Sequence, residues 1–475
     1  MERSLPESWV RTELSEVLDD IVGGGTPSKE ISEYFQGDIP LMTVKDMRVS
    51  RPSETGFNIT QQALKSSSSK IVPADTVIIA TRMGLGKVVR PVMSTAINQD
   101  LKALFPSEAL DKSYLEQWLL SIAGKIEAMG TGTTVKGVRL NQIRGLQVPL
   151  APFEEQRRIV EKIETLFSQL DAGEAALRRV ATLLARYRQS VLKAAVTGAL
   201  TADWRAQNAH RLEHGRDLLA RILQARRENW QGRGKYQEPV APDTSDLPEL
   251  PNKWVWASLE QLFDVYGGAT PSRRDPTNWG GTIPWVSSGE VAFCRIKQTT
   301  EKISQSGYES CSTKIHPVGT ILLAMIGEGK TRGQAAILDI PACNNQNAAA
   351  IRVSETKIPS EFVYYYLMGR YEQSRKEGQG GNQPALNGAK VKGFVMPLPS
   401  IDEMWEIANQ IEIAFDAAAA TEATIGLELT RSAALRQSIL KDAFSGKLVP
   451  QDPGDEPAAD LLARVRAGRA TASRP

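Results

Sequence analysis

A duplicated set of motifs constrains the fold of this chain more than any other feature of its 475 residues. The motifs recur in the same order and at nearly the same offset, which predicts two related structural units. The pairs are Leu5-Pro-x-x-Trp9 with Leu250-Pro-x-x-Trp254, Gly24-Gly-Thr-Pro-Ser28 with Gly268-Ala-Thr-Pro-Ser272, Val148-Pro-Leu150 with Met396-Pro-Leu398, and residues 188–193 with residues 436–441.

Each half is predicted to be an α+β module of about 150 residues followed by a helical segment of about 50. Short β-rich runs at 76–80 and 321–325 alternate with Gly, Pro, Ser and Asn clusters, which indicates a twisted, mainly antiparallel sheet. Helices are predicted at 113–123 and 360–370. The predicted segments are a first module at 1–150, a helix at 151–200, a charged Pro-containing linker at 201–249, a second module at 250–398, a helix at 399–449 and a tail at 450–475.

The two helical segments carry apolar stripes with the alternating four- and three-residue steps of a coiled coil. The first seam is Ile159, Ile163, Leu166, Leu170, Leu177, Val180 and Leu184, and the second is Ile407, Ile411, Ala418, Ile425, Leu435 and Ile439. Neither helix could bury its stripe alone, so the two are predicted to pack on each other. Antiparallel packing is favoured, because residues 199–250 are too few to carry a module back past the rod, and parallel packing is the alternative.

The composition is that of a globular protein, with 41% apolar and 24% charged residues. Its 57 Lys and Arg nearly balance its 55 Asp and Glu, so a polyanionic partner must be held by local basic patches. The three cysteines form no Cys-x-x-Cys pair, which argues against structural zinc and a disulfide framework. A charged N-terminus and a longest apolar run of only residues 321–326 favour a cytoplasmic protein without a membrane partner.

Antiparallel helices would relate the two halves by a pseudo-two-fold axis and place two different modules on one rod. Duplex DNA has the same kind of symmetry, because its backbone has local two-fold axes whereas its base sequence need not be symmetric. The first stripe would span roughly 54 Å at about 1.5 Å per residue, enough to hold two modules over half-sites roughly 34–36 Å apart. The sequence therefore predicts binding to a split DNA site whose spacing is set by helix length.

Four stretches of the chain resemble the specificity subunits of type I restriction–modification systems. They are the run from Gly132-Thr-Thr-Val-Lys136 to Phe153-Glu-Glu-Gln-Arg-Arg-Ile159, the Thr-Pro-Ser motifs in both halves, and the ending Gly446-Lys-Leu-Val-Pro-Gln-Asp-Pro-Gly-Asp-Glu-Pro457. The resemblance covers residues 5 to 467, nearly the whole chain, and the order of the motifs makes it specific.

The resemblance implies two target-recognition domains that each read one half of a split sequence in double-stranded DNA through the major groove. It also implies that the paired helices act as a spacer and dock two methyltransferase subunits, which methylate adenine after flipping it out of the stack. Two restriction subunits would join this core. The chain itself is expected to be non-catalytic and to bind no cofactor or metal, while S-adenosylmethionine, ATP and Mg²⁺ are expected on the partner subunits.

Candidate DNA-contacting residues are exposed-type Lys and Arg for phosphates, and Arg, Asn and Gln for base edges. In the first module they are Arg82, Lys87, Arg90, Lys136 and Arg139. In the second they are Arg273, Arg274, Lys330, Arg332, Asn344, Asn345, Gln346, Asn382, Gln383, Lys390 and Lys392. Individually, many of them would be expected to be ordinary solvated surface groups.

Three catalytic motifs are incomplete in the sequence. The stretch from Ala324 to Lys330-Thr331 has the ending of a phosphate-binding P-loop but lacks its first glycine. His210-Arg-Leu-Glu-His214 has a zinc-protease spacing, but it lies in the charged linker without an evident third ligand. The Asn/Asp-Pro-Pro-aromatic loop of adenine methyltransferases does not occur. The Tyr364-Tyr-Tyr366 cluster is expected to pack in a core, and Trp9 and Trp254 are expected to be structural anchors.

Two other functions remain as alternatives. A catalytic fused DNA methyltransferase or nuclease would transfer a labelled methyl group from S-adenosylmethionine to DNA without any other subunit. A coiled-coil adaptor that does not bind DNA would leave DNA specificity unchanged when one module is exchanged, but it gives no reason for the difference between the modules.

Overall fold

The computed structural model describes residues 5–132, 136–230, 234–327, 329–377 and 385–472. The first module consists of short strands with helices between them. Its strands are β1 (Val10–Glu13), β2 (Leu18–Gly23), β3 (Ile39–Met42), β4 (Asn58–Ile59), β5 (Lys70–Val72), β6 (Val77–Ala80), β7 (Val88–Val89), β8 (Thr95–Ile97), β9 (Leu101–Pro106) and β10 (Gln147–Leu150). Its helices are α1 (Gln61–Lys65), α2 (Lys112–Ser121), α3 (Ala123–Ala128) and α4 (Leu140–Arg144).

The helix α5 (Phe153–Val196), 44 residues long, follows the first module and is succeeded by α6 (Ala202–Asn208) and α7 (Gly215–Glu228). The second module then repeats the pattern of the first. Its strands are β11 (Val255–Ser258), β12 (Val265–Gly267), β13 (Trp279–Val286), β14 (Cys294–Ile296), β15 (Glu301–Ile303), β16 (Ile321–Ala324), β17 (Ala335–Leu338), β18 (Cys343–Asn344), β19 (Ala348–Ile351) and β20 (Val395–Leu398). The remaining helices are α8 (Leu259–Leu262), α9 (Gln305–Glu309), α10 (Ser360–Gly369), α11 (Tyr371–Glu377), α12 (Gly388–Lys392), α13 (Ile401–Ala443) and α14 (Ala458–Ala472).

The strands of each module form several small sheets, where the sequence analysis expected one. In the first module the strand orders are β2-β9-β6-β7, β4-β3-β8-β5 and β1-β10. In the second they are β12-β19-β16-β17-β14, β15-β13-β18 and β11-β20. The pairing is mainly antiparallel, as predicted, with parallel pairs at β3–β8, β13–β18 and β14–β17. The same strands thus recur in corresponding positions, which confirms the predicted duplication.

The chain divides into two compact units, and each unit combines one module with parts of both long helices. The first unit contains the residues up to Arg178 and those from Gly426 onward, and the second contains Arg179–Ile425. These units cut across the segments predicted from sequence, because the long helices α5 and α13 each contribute to both.

Inside the first unit, the beginning of α5 packs antiparallel to the end of α13. Ile163 of α5 and Leu440 of α13 lie in one apolar core, and further along α5 the Glu174 carboxylate accepts from Ser432 Oγ at 2.7 Å. The guanidinium of Arg436 donates to Asp171 at 2.6 Å. Rising residue numbers in one helix therefore meet falling numbers in the other, so the predicted antiparallel packing is confirmed here.

In the second unit, the end of α5 packs against the beginning of α13. The Arg188 guanidinium donates to Glu422 at 2.7 Å, while Leu192, one turn on, lies in a core with Ile407 and Ile411. The antiparallel direction again follows from the order of these contacts. The parallel alternative is therefore excluded within both units.

The predicted seam residues are buried or half-buried, with two exceptions. Val180 and Leu435 are exposed, so these two positions do not belong to the buried stripe. A straight helix has 3.6 residues per turn, and a stripe with steps averaging 3.5 drifts around its surface.

The stretch predicted as a charged linker contains a helix, α7, that corresponds to α14 of the C-terminal tail. Asp217-Leu-Leu-Ala-Arg221 on α7 recurs as Asp460-Leu-Leu-Ala-Arg464 on α14. Corresponding ion pairs join Arg226 to Asp264 at 2.7 Å and Arg469 to Asp19 at 3.7 Å. In each unit this helix is anchored on its module, because Gly215 N donates to Lys253 O at 2.7 Å and Ala458 N to Ser8 O at 3.0 Å. The charged segment predicted at 201–249 therefore contains a helix that contacts the second module as α14 contacts the first.

Candidate nucleic-acid interface

A glycine in the first module brings the Thr-Pro-Ser turn against the end of β8. A Cβ at Gly24 would lie 1.8 Å from the carbonyl oxygen of Ile97, so no residue with a side chain fits without a backbone shift. Gly25 N then donates to Ile97 O at 3.1 Å. This close approach places Thr26 beside the turn that follows β8.

The second module makes the same approach with different residues. A Cβ at Gly268 would lie 2.1 Å from the carbonyl oxygen of Asn344, and Ala269 N donates to that oxygen at 3.0 Å. The Thr-Pro-Ser motif therefore forms a sharp corner of the fold in each module. In both modules this corner places the threonine at the corresponding position, beside the turn that follows β8 or β18.

The turn after β8 and the turn after β18 share one conformation, which we call the Asn-Gln turn (98–100 and 345–347). The backbone N–H of Asp100 donates to Asn98 Oδ1 at 3.1 Å, and that of Asn347 donates to Asn345 Oδ1 at 3.1 Å. Both asparagines are buried. The middle residue of each turn is a glutamine, Gln99 or Gln346, and it is exposed.

Within each module, a hydrogen bond between side chains joins the Thr-Pro-Ser turn to the Asn-Gln turn. Thr26 Oγ1 donates to Gln99 Oε1 at 2.6 Å, and Thr270 Oγ1 donates to Gln346 Oε1 at 2.5 Å. The sequence analysis named Gln346 and missed Gln99. The repeated Asn-Gln dipeptide, at 98–99 and 345–346, was the signal that could have revealed it.

A basic loop between β6 and β7 borders the first Asn-Gln turn, because Thr81 N donates to Asp100 O at 2.8 Å. In this loop Arg82 and Lys87 are exposed, and Arg82 lies 3.8 Å from the Asp100 carboxylate. Met83 is 67% exposed and has a φ of 59°, which is rare for a residue with a side chain and marks local strain. The loop therefore presents two cations and an apolar tip.

Lys136 and Lys102 extend the basic surface. Lys136 is exposed next to Gly137, which forms an isolated bridge with Arg82. Lys102, which the sequence analysis did not select, follows the Asn-Gln turn and donates to Gln99 O at 3.3 Å. Burial lowers the pKa of Lys102, Asp100 opposes this shift and Arg82 adds to it. Arg139 is exposed and caps α4.

The corresponding loop of the second module follows β16. Met325 N donates to Asn347 O at 2.8 Å, as Thr81 does to Asp100 O in the first module. Ile326 is 46% exposed, Gly327 has a φ of 138°, and Lys330 is exposed. The Tyr371 hydroxyl donates to Lys330 O at 2.6 Å and fixes the backbone of the loop.

Four sequence-selected residues are buried and have structural partners. Arg90 is 5% exposed and is paired with Asp75 at 2.6 Å and with Glu116 at 3.4 Å. The buried Arg332 donates to Arg375 O at 3.2 Å. Asn344 and Asn345 shape the backbone of the second Asn-Gln turn. Burial and these partners favour structural roles for the four residues, and contact of any of them with DNA stays a prediction.

The other candidates lie apart from the Asn-Gln turn or outside the description. Arg273 is exposed, pairs with Glu301 at 2.8 Å and lies 4.3 Å from the ring centre of Trp279, while its neighbour Arg274 is exposed. Lys392 pairs with Glu260 of α8 at 3.3 Å, and Lys390 is exposed on the same helix α12. Asn382 and Gln383 lie outside the described residues.

The rejected motifs gain no support from the part of the chain that is described. Across its five described ranges, no group of His, Cys, Asp and Glu side chains could hold a metal ion. His214 caps α7 by accepting from Arg216 N at 3.1 Å, and His210 lies outside both α6 and α7. Tyr364 and Tyr366 are buried, as expected of core residues. None of the described helices is long and apolar enough to cross a membrane.

Comparison with known proteins assigns the family. A family model for the type I restriction modification DNA specificity domain matches residues 6–178 and 251–431. The chain is 25% identical to the type I restriction enzyme StySPI specificity subunit of Salmonella potsdam, over 98% of this chain and 96% of that protein. It is 23% identical to the EcoKI specificity subunit of Escherichia coli K12, over 98% and 96% respectively.

Solved structures share the fold. A chain from a study of complex assembly in a type I restriction–modification system matches with a TM-score of 0.62 at 18% identity, over 94% of this chain and all 100% of that one. The HsdS subunit from Thermoanaerobacter tengcongensis matches with a TM-score of 0.58 at 18% identity, over 94% and 99%.

Each unit thus combines an α+β module that has the same corner turns with antiparallel segments of α5 and α13. The chain belongs to the family of type I restriction–modification DNA specificity subunits. Its function is sequence-specific recognition of DNA within such a system, as predicted, and neither the fused enzyme nor the DNA-free adaptor is favoured.

Proposed function

We propose that each module contacts DNA through the surface that combines its Thr-Pro-Ser turn, its Asn-Gln turn and the neighbouring loop. We call these surfaces reading edge 1 (24–28, 81–87 and 98–102) and reading edge 2 (268–272, 325–327 with 329–330, and 344–347). The observation that carries the proposal is the recurrence of the same hydrogen bonds at both edges. Both modules keep this arrangement although the loops beside it carry different residues.

The side chains on both edges suit a nucleic acid. Arg82, Lys87 and Lys330 provide cations for phosphates, while Gln99 and Gln346 provide amides for base edges. The net charge of the chain is only +2, so these local cations would supply the attraction. Arg273, Arg274, Lys136, Arg139, Lys390 and Lys392 would add phosphate contacts at the periphery.

Two edges with different residues would read two different half-sites of a bipartite target. The modules at 1–150 and 250–398 would be the target-recognition domains, and the helices at 151–200 and 399–449 would set the distance between them. The 201–249 and 450–475 segments would brace the two modules in equivalent ways, as their helices α7 and α14 indicate.

The methyltransferase partners would dock on the long helices. Trp405 and Ile413 of α13 are 54% and 61% exposed, and their eight-residue spacing places them on one helix face. Leu183 and Tyr187 form a similar exposed pair on α5. Large exposed apolar groups of this kind are typical of protein interfaces. Two such subunits and two restriction subunits would bring S-adenosylmethionine, ATP and Mg²⁺, and the complex would act on DNA in the cytoplasm.

The DNA-binding proposal is tested by salt titration of the complex of this chain with its methyltransferase subunits. Removing Lys87 or Lys330 by Lys→Ala substitution is expected to reduce the slope of log affinity against log salt by about 1 each. Lys162→Ala on α5 is the matched control and should leave the slope unchanged. A footprint with one contiguous recognised block, or slopes that do not respond to either edge substitution, would count against the proposal.

The docking proposal is tested by co-purification of the methyltransferase. A Trp405→Ala, Ile413→Ala double variant is expected to lose the partner, because it removes the two largest exposed apolar groups of that helix face. Val318→Ala, which removes an exposed apolar residue of the second module, is the control. Full retention of the partner by the double variant would exclude this docking face.

A further inference from the structure

We propose that Gln99 and Gln346 each read one adenine in the major groove, one in each half-site, and that Thr26 and Thr270 are the positioning residues for these amides. This inference rests on the proposed DNA contact of the two reading edges. It adds which side chain of each edge identifies a base, and which base that is.

The backbone beneath each glutamine is held by the same four hydrogen bonds in both modules. In the first module Asn98 N donates to Met42 O, Asp100 N to Asn98 Oδ1, Thr81 N to Asp100 O, and Gly25 N to Ile97 O, at 2.8 to 3.2 Å. In the second the donors are the backbone N–H groups of Asn345, Asn347, Met325 and Ala269, at 2.8 to 3.1 Å. Because these four hydrogen bonds hold the turn backbone, the turn positions the glutamine side chain rigidly for base contact.

In both modules the threonine hydroxyl is hydrogen-bonded to the oxygen end of the glutamine amide. Because Thr26 and Thr270 donate to Oε1, the oxygen of each glutamine faces its threonine and Nε2 is directed elsewhere. An amide oxygen has two lone pairs, so each Oε1 can accept one more hydrogen bond. No protein acceptor for Gln99 Nε2 or Gln346 Nε2 is recorded among the residues that the structure describes.

A free acceptor beside a free donor is the pattern that adenine requires. In the major groove adenine offers its N6 amino group as a donor and N7 as an acceptor, and a glutamine side chain can meet both at once. Guanine presents two acceptors at the corresponding positions and would face the Oε1 lone pair with O6. The threonine–glutamine pair therefore favours adenine over guanine.

The asparagine and aspartate side chains next to the glutamines are already hydrogen-bonded. Asn98 and Asn345 are buried and used within their turns. Asp100 carries a negative charge beside Arg82 and accepts from Asn98 Nδ2 at 3.0 Å, so it suits neither phosphate nor adenine N7. Among these side chains the two glutamines are the exposed amides, and they occupy corresponding positions on different modules.

The test uses the complex of the full chain with its methyltransferase subunits and maps methylated sites on genomic DNA. Gln99→Ala is expected to reduce discrimination at one A·T pair of one half-site by about 10- to 100-fold, and Gln346→Ala to do so in the other half-site only. Gln62→Ala and Gln298→Ala, exposed amides away from the Asn-Gln turns, are the controls and should leave both half-sites unchanged.

The positioning role has its own readout. Thr26→Val should relax the same base pair as Gln99→Ala, whereas Thr26→Ser keeps the hydroxyl and should restore discrimination. A duplex with 7-deazaadenine at the assigned position lacks N7 and should weaken binding by the wild-type complex but not by the Gln99→Ala complex.

The outcomes separate this inference from the proposed function. A wild-type complex without any split sequence preference would overturn the proposed function. A wild-type complex with a split preference that both glutamine variants retain at every position would overturn only the base assignment. The base assignment would also be overturned by a half-site without any A·T pair apart from the methylated adenine.

Discussion

Trp254 donates its indole N–H to Glu403 Oε2 at 2.9 Å, and Trp9 donates to Glu155 Oε2 at 3.0 Å in the other unit. Each tryptophan begins a module and each glutamate lies in the first turn of a long helix. Both glutamates are buried. The sequence analysis expected the two tryptophans to be structural anchors, and the structure identifies what they anchor.

Glu403→Ala is expected to destabilise the second unit by about 3 to 5 kcal/mol. The carboxylate also accepts from Thr201 Oγ1 and Arg205 at 2.8 Å, so its removal leaves three donors without their shared acceptor. Urea unfolding, followed by hydrogen exchange in each unit, measures the effect. Glu412→Ala, an exposed glutamate of the same helix, is the control, and equal protection in both variants would contradict the prediction.

Arg90→Ala is expected to destabilise the first module by about 3 kcal/mol, since it leaves the buried Glu116 without its closest buried cation. Burial raises the pKa of Glu116, and the guanidiniums of Arg51 and Arg90 oppose that rise. The pKa of Glu116 should therefore rise further in the variant. Arg82→Ala, at an exposed position, should instead weaken DNA binding and leave the free energy of unfolding nearly unchanged. If Arg90→Ala instead weakened DNA binding and left the free energy of unfolding unchanged, Arg90 would be supported as a DNA contact.

His316 should make the second module less stable in mild acid. Burial, with help from the charge of Arg352, lowers its pKa to about 4 from an ordinary value of 6.5. The unfolded chain therefore binds the proton more readily, so stability falls as pH decreases from 6.5 to 4, by up to about 3 kcal/mol. Arg352 Nε donates to His316 Nδ1 at 3.3 Å, and Lys314 adds positive charge nearby.

His316→Gln retains an acceptor but cannot be protonated in this range, so its unfolding free energy should lose that pH dependence. Urea unfolding at several pH values between 7 and 4 measures the difference. His210→Gln, at an exposed histidine, should keep the slope of the parent protein. If the unfolding free energy depended on pH equally in the parent protein and in His316→Gln, this histidine would not control the acid response.

Inserting four residues into α5 near Glu174 should change the gap between the two half-sites and leave the bases read unchanged. Four residues add about 6 Å of helix, roughly one turn. The Glu174 contacts with Ser432 and Arg436 would move along by that turn, and a matching insertion in α13 should restore their register. Methylation mapping reads the gap directly, and a gap that does not respond would refute the role of the helices as a spacer.

Local patterns were sufficient for the elements that depend on local sequence. The predicted helices at 113–123 and 360–370 correspond to α2 and α10, and the two long helices begin and end within a few residues of their predicted bounds. The Ser400-x-x-Glu403 sequence has the pattern of a capping box, but only half of the box forms: Glu403 N donates to Ser400 Oγ at 3.3 Å, whereas the Glu403 side chain accepts from Trp254. A partner distant in sequence outcompeted the local one.

The sequence by itself determined the duplication, the apolar stripes and the family, because motif order and periodicity are properties of the chain alone. Only the tertiary structure decided that Arg82 is exposed and Arg90 is buried, eight residues apart. It also decided that α7 contacts the second module as α14 contacts the first, and that Gln99 lies beside Thr26. Burial and side-chain pairing depend on strands and turns that are far apart in sequence, so no local pattern contains them.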